Sequence, residues 1–340
     1  MSELNWSLGH LDHLVSPWAN AGGVVKSVEE VALMAQTGVG WVEAGSYTLE
    51  PRYGNQYDKD GKLIISQHTG QPVRVYYHDA LTGETFNSLG MPNKGMDVVE
   101  QEIAEMAAIC HARGKYLLIN VAPVSDDPVT ESIELVRRAY EAGADGVILN
   151  GGCPNVLEED GGRHQILSRN ARATGQVLRG LRPITEQFQP VFFRTSPQDS
   201  REDEVALLKE VVESGTVSVL LRPNTWPGQR PVDAEGKDII EVPGGLAGKS
   251  GPAVAAEAFR ASMYARRMLS GSGIDVVLSS GVMDSEALNL RAVDTLHSAL
   301  NAGMLACGTT FYYENPSQRD DAWRYNTDKL LRDLDQRLAA

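Results

Sequence analysis

The chain has 340 residues, 42% hydrophobic and 22% charged, with a formal net charge of -14. That is enough sequence for one large core or two smaller ones in an ordinary water-soluble protein. So acidic a surface argues against nucleic acid and against anionic membranes as partners.

In chain order, the N-terminus MSELNWSLGHLDHLV has no basic segment ahead of an apolar one, so it does not read as a signal peptide. No apolar run approaches the ~18 residues of a membrane span. A cytoplasmic location is the expectation, and three widely spaced cysteines, Cys110, Cys153 and Cys307, with no CxxC pair, fit a reducing compartment without a zinc site. Short apolar runs follow at 13–18, 40–44, 116–121, 146–150, 191–194, 217–221, 275–279 and 304–307. Helix-like segments alternate with them, among others at 27–36, 96–113, 129–142, 204–213, 253–269 and 285–302. In 204–213, Val205, Leu208, Val211 and Val212 recur at helical spacing, and Asp127 and Asp284 stand where helix caps belong. Runs apolar on both faces suit parallel strands covered by helices. Eight of them, each followed by a helix, predict an α/β fold of the (β/α)8 TIM barrel type, as a single domain over 1–340; an open doubly wound sheet is the alternative. One segment breaks the rhythm. After the second strand, about 53–85, turn signals alternate with short β-prone runs and predict a hairpin or meander insertion, in which Gly61 of DKDGK turns the chain.

Barrel chemistry sits on the loops that follow the strands. The loop ILNGGCPN, 148–155, places Cys153 on a tight turn at the end of the fourth strand. Gly281 with Asp284 and Ser285, and Gly308 with Thr309, open neighbouring loops after strands seven and eight, where such barrels bind phosphate; either glycine alone would simply close a turn. Asn87, Asn93, Asn150, Asn155 and Asn224 fall in or beside these loops. Amides both donate and accept, so a ring of them suits a planar ligand with amide edges; singly, each would be a turn residue. No pair among the seven histidines has metal-ligand spacing on a credible helix face.

The motifs TLEPRYGN, FNSLGMPNKG, ILNGGCPN, GGLAGKSGPA and CGTTFYYENP, in this order, resemble those of the dihydroorotate dehydrogenases, most closely the soluble class with a cysteine base. The resemblance runs from NAGGV at 20–24 to the last strand. It implies an FMN-binding barrel that oxidises (S)-dihydroorotate to orotate in pyrimidine biosynthesis, passing electrons to a soluble acceptor, usually as a homodimer. By the same resemblance Cys153 is the base, and Asn87, Leu89, Gly90, Met91, Asn150, Asn155, Asn224 and Thr225 line the substrate. Ala21, Gly22, Gly245, Ser280, Gly281, Gly308 and Thr309 hold the flavin.

Three departures stand out. The family's lysine beside flavin and substrate would fall near Gly45, in EAGSYTLE, and is absent. Arg194 takes the place of another lysine, at the flavin's pyrimidine edge, keeping the charge with a bulkier planar group. Gly152 replaces a serine. Loss of the first lysine points to substitution by Lys94, Arg52 or Arg222, to a neutral dihydropyrimidine or activated alkene as substrate, or to a barrel without catalysis.

Overall fold

The computed structural model describes residues 6–23, 25–79, 81–82, 84–157, 162–282 and 304–308. The chain begins with an antiparallel hairpin, β1 (Trp6–Leu8) and β2 (Leu11–Leu14). Leu8, Leu11 and Leu14 are buried in the main core. The Gly9 N–H donates to the Asp275 carboxylate (2.9 Å), and His10 packs edge-on against Phe192. Asp275 opens a barrel strand and Asp145 immediately precedes another; His10 Nε2 lies 2.9 Å from the Asp145 carbonyl. The hairpin therefore closes the barrel at the N-terminal ends of its strands.

This corrects the expected strand at 13–18. The leucines of that region are used to seal the bottom, His13 takes a left-handed conformation (φ 58°), and the first barrel strand is β3 (Trp18–Asn20). There follow α1 (Val28–Met34), β4 (Trp41–Tyr47), β5 (Tyr76–Asp79), β6 (Glu84–Asn87), α2 (Met96–His111), β7 (Tyr116–Val121), α3 (Pro128–Glu141), β8 (Gly146–Asn150), α4 (Ala171–Gly180), α5 (Arg182–Gln187) and β9 (Val191–Arg194). The remaining elements are α6 (Arg201–Ser214), β10 (Val217–Arg222), β11 (Trp226–Gln229), β12 (Ala247–Ser250), α7 (Ala255–Met268), β13 (Asp275–Val282) and β14 (Met304–Gly308).

Eight parallel strands close in the order β3-β4-β7-β8-β9-β10-β13-β14, with β14 returning to β3 through pairs such as Cys307↔Ala19. The barrel expectation holds and the open sheet does not. β4, β8 and β9 are buried along their whole length, as strands between a filled barrel interior and an outer helical layer must be. Local signals start the helices: Ser27, Asp127 and Ser200 each accept a hydrogen bond from the backbone N–H three residues on. In α6 the buried face carries Glu204, Leu207, Leu208 and Val211, so Leu208 and Val211 of the expected stripe face the core whereas Val205 and Val212 are exposed. The predicted helix at 285–302 and its cap Asp284 lie outside the described residues.

A second, antiparallel sheet runs β11-β12-β6-β5. The predicted insertion is thus half of a larger unit. Its final hairpin pairs across the fold with the GGLAGKSG segment, Gly248 opposite Asn87 and Ser250 opposite Thr85. Val73, Val75, Phe86, Ile240, Val242 and Ala247 form a small core of its own. Gly61 does turn the chain, with φ 73°.

Candidate active site

The C-terminal ends of the barrel strands and the small sheet face each other across one cavity of about 910 Å³, counting its open mouth. From the barrel come Ala21, Gly22 and Gly23 beyond β3, Ser46 of β4, Asn150 at the end of β8, Arg194 at the end of β9, Asn224 and Thr225 beyond β10, and Ser280 of β13. From the small sheet come Tyr76, Thr85, Asn87 and Ser250, and from the loop after β6 come Leu89, Gly90, Met91 and Pro92. Cys153, Pro154 and Asn155 complete the wall.

The loop after β6 is held in an uncommon shape. Gly90 and Met91 are both left-handed, φ 75° and 56°. For a non-glycine residue such a conformation costs about 1–3 kcal/mol and persists only where its surroundings enforce it. Here they do. Arg52 and Asn93 pair backbone to backbone, the Asn55 N–H donates to the Leu89 carbonyl, and Arg52 Nε donates to the Gly90 carbonyl. TLEPRYGN thereby clamps NSLGMPN. Asn93 belongs to this clamp: its amide bridges Thr48 and the Met91 carbonyl, and its oxygen also accepts from the Gly95 N–H. It does not line the cavity, so of the five asparagines it is the turn residue.

The other four converge. The Asn150 amide donates to Ser46 Oγ (2.9 Å) while its oxygen accepts from the Gly152 N–H. Asn155 Nδ2 donates to Asn87 Oδ1 (2.8 Å), and Asn224 Oδ1 accepts from the Thr225 N–H. Asn155 Oδ1, Thr225 Oγ1 and Ser280 Oγ are buried with no hydrogen-bond partner among the described residues. Buried polar atoms normally find partners. Three unsatisfied ones around one cavity mark where a bound molecule would supply them.

Cys153 is half-buried against Met91, Ala122 and Val156. Burial pushes its thiol pKa up; a backbone hydrogen bond from Asn155 and the positive charges of Arg52, Lys26 and Arg163 pull it partly back. Arg163 also ties the loop down, donating to the carbonyls of Pro154 (2.9 Å) and Leu246. Cys110 is a different case. It is fully buried in α2 and its thiol is pushed up to about 12, as expected of a packing residue.

On the floor of the cavity, Arg194 forms a two-pronged ion pair with Glu43 of β4; the Nη2–Oε2 contact is 2.6 Å. Glu43 also accepts from Asn120 Nδ2 (2.5 Å), and its backbone N–H donates to Asn20 Oδ1. Glu43 is 0% exposed. The arginine at this position is thus charge-matched within the protein. Gly22 lies on top of the cluster: a Cβ there would come within 2.3 Å of Glu43 Oε1 and 2.4 Å of Arg194 Nη1.

Of the cations proposed to replace the missing lysine, Lys94 pairs with Glu102 on the surface, and Arg222 is buried in a two-pronged pair with Glu204 beneath a separate groove between α6 and α7. Only Arg52 is near the site. Sequence reasoning missed Lys26, which lines the cavity and donates to the Pro92 carbonyl. It also missed Glu43. Gly245 is not among the residues lining the cavity: it closes a turn at φ 63° against Asp238. Gly281 and Gly308 are placed by backbone only, at the ends of β13 and β14, where Val282 pairs with Gly308; Thr309 lies outside the described residues.

Comparisons with known proteins bear on the family and the fold. The family model described as "Dihydroorotate dehydrogenase" matches residues 8–322. The catalytic subunit of a dihydroorotate dehydrogenase B (NAD(+)) from Parabacteroides distasonis is 26% identical over 263 residues, 76% of this chain and 74% of that one. A dihydroorotate dehydrogenase (quinone) from Delftia acidovorans is 23% identical, over 78% of this chain and 71% of its own length. A quinone-type relative from a Sulfurovum species is 22% identical over 60% of this chain, and the match spans about half, 51%, of that relative. Among solved structures, the dihydroorotate dehydrogenase of Eimeria tenella, crystallised with ferulenol, superposes with a TM-score of 0.69 at 21% identity, covering 99% of this chain and 85% of that one.

Proposed function

This chain belongs to the dihydroorotate dehydrogenase family, and from that premise we propose that it is an FMN-dependent oxidoreductase that converts (S)-dihydroorotate to orotate with Cys153 as the base. The observation that carries the reading is convergence: Cys153, the amides of Asn87, Asn150, Asn155 and Asn224, the glycine cradle at Gly22 and the buried Ser280 hydroxyl all meet in one cavity.

The residues present fit a flavin mononucleotide. Ala21 and Gly22 would lie against its ring system, Arg194 would meet its polar edge, and Ser280 would take a hydrogen bond. When bound, FMN supplies the hydride acceptor that no side chain can provide. The protein's own work is then to hold the substrate ring and take its proton. The paired amides of Asn87 and Asn155, with Asn150 and Asn224, offer donors and acceptors to a pyrimidine's amide edges. Cys153 Sγ removes the proton from C5 as the hydride leaves C6, so the two bonds broken leave the new C5–C6 double bond of orotate. The small sheet over the mouth restricts water. The electron acceptor we infer is soluble and the working unit a cytoplasmic homodimer; the net charge of -14 supports a protein that stays off anionic membranes. A second reading, a neutral dihydropyrimidine as substrate, is favoured by one observation, the absence of a side chain at Gly45.

Two measurements bear on this. Steady-state assays with a soluble redox dye should give orotate from dihydroorotate, faster than uracil from dihydrouracil; turnover of dihydrouracil alone would favour the second reading. Gly22→Ala places a methyl group against the Glu43–Arg194 pair and is expected to lower the FMN content of the purified protein sharply, read as flavin absorbance per chain. Wild-type flavin content in that variant would remove Gly22 from the cofactor cradle.

A further inference from the structure

Among the described residues, two cationic side chains line the cavity, Lys26 and Arg194, and Arg194 is committed to Glu43. Lys26 lines the cavity beside the loop that follows β6. It donates to the carbonyl of Pro92, next to Met91, and its charge acts on the Cys153 thiol. Its place in the chain is informative. The segment leading into it runs alongside β4: Val25 bridges Ala44, the Gly45 N–H donates to the Val25 carbonyl (2.9 Å), and the Gly23 N–H donates to the Gly45 carbonyl (2.7 Å). Lys26 is therefore one residue from the direct backbone partner of Gly45.

Gly45 itself has no room for a side chain. Its φ is 129°, and a Cβ would come within 2.3 Å of the Asn120 carbonyl oxygen. The pairing of β4 with β7 shifts register at this point, between Gly45 and Tyr47. A lysine could not be restored at 45 without moving two barrel strands.

We propose that Lys26 supplies the cation that position 45 cannot, and binds the carboxylate of an anionic substrate at the Met91–Pro92 wall. The inference rests on the dihydroorotate reading and sharpens it: the site selects a pyrimidine carrying a carboxylate over a neutral one. The charge has moved from β4 to the segment paired with it.

Calorimetric titration of the purified full chain, as isolated, with orotate and with uracil tests this. The wild type binds orotate more tightly than uracil. Lys26→Met weakens orotate about 10- to 100-fold, the loss of one charge-assisted hydrogen bond, and leaves uracil unchanged. Lys26→Arg retains most of the orotate affinity. Unchanged orotate binding in Lys26→Met overturns the proposal. So does a parallel loss of orotate and uracil, which would mean that Lys26 only props the loop through Pro92. A wild type that binds neither ligand contradicts the reading of the site itself and takes this inference with it.

Discussion

Cys153→Ala slows proton abstraction from dihydroorotate by about 100- to 10,000-fold, the usual worth of a positioned general base, while orotate still binds. The reasons are local. Cys153 is the thiol of the described residues that reaches the cavity; Cys110 is sealed in α2. Along the same cavity Asn155 is tied to Asn87 and Asn150 to Ser46, so the proposed pyrimidine seat survives removal of one sulfur atom. Rapid mixing with dihydroorotate, followed at the flavin band, reads the rate; orotate titration reads the seat. A near-normal rate in the alanine variant would assign the proton to another group. The pH dependence follows from the same environment. In the proposed role the thiolate is the active form, and burial raises the thiol pKa above its ordinary value. The rate of the wild type therefore climbs with pH and continues to climb through the ordinary thiol range before levelling.

Glu43→Ala is expected to destabilise the fold by about 3–5 kcal/mol, because it removes the carboxylate paired with a buried guanidinium. Glu43 is fully buried, Arg194 is 4% exposed, and the carboxylate also receives the Asn120 amide. Glu204→Ala provides the comparison. It strands Arg222, 1% exposed, in an equally buried two-pronged pair, but beneath the outer groove between α6 and α7. Both variants should lose a similar amount in denaturant unfolding. Only Glu43→Ala should also alter the flavin spectrum, since Arg194 lines the proposed flavin cavity and Arg222 does not. Glu43→Gln keeps an acceptor for Asn120 and should lose less. Equal spectra in both alanine variants would mean that the Glu43–Arg194 pair is a structural feature without contact to the cofactor.

The parts of this molecule legible in the sequence are those written locally. β7, β8 and β9 read as short runs apolar on both faces, and the cap Asp127 is a side-chain-to-backbone contact within three residues. The loops carrying Cys153 and the asparagines followed from the strand ends. What was hidden depends on distant pairing. Nothing near Leu11 or Leu14 says that they plug the barrel bottom instead of forming its first strand. The union of β6 with β12 joins segments far apart in the chain, so the insertion looked like a free meander. Glu43 was hidden inside an apolar run, since its partner Arg194 lies 151 residues away. Lys26 had no motif to mark it, because its relation to Gly45 is a contact across strands.

The most direct test is an anaerobic titration of the purified protein with (S)-dihydroorotate, followed at the oxidised-flavin absorbance band. The account predicts that the band bleaches to completion, with one orotate formed per flavin reduced, and that Cys153→Ala does not bleach on the same timescale. A bound flavin that stays oxidised, or a protein that cannot be reconstituted with FMN, would contradict it.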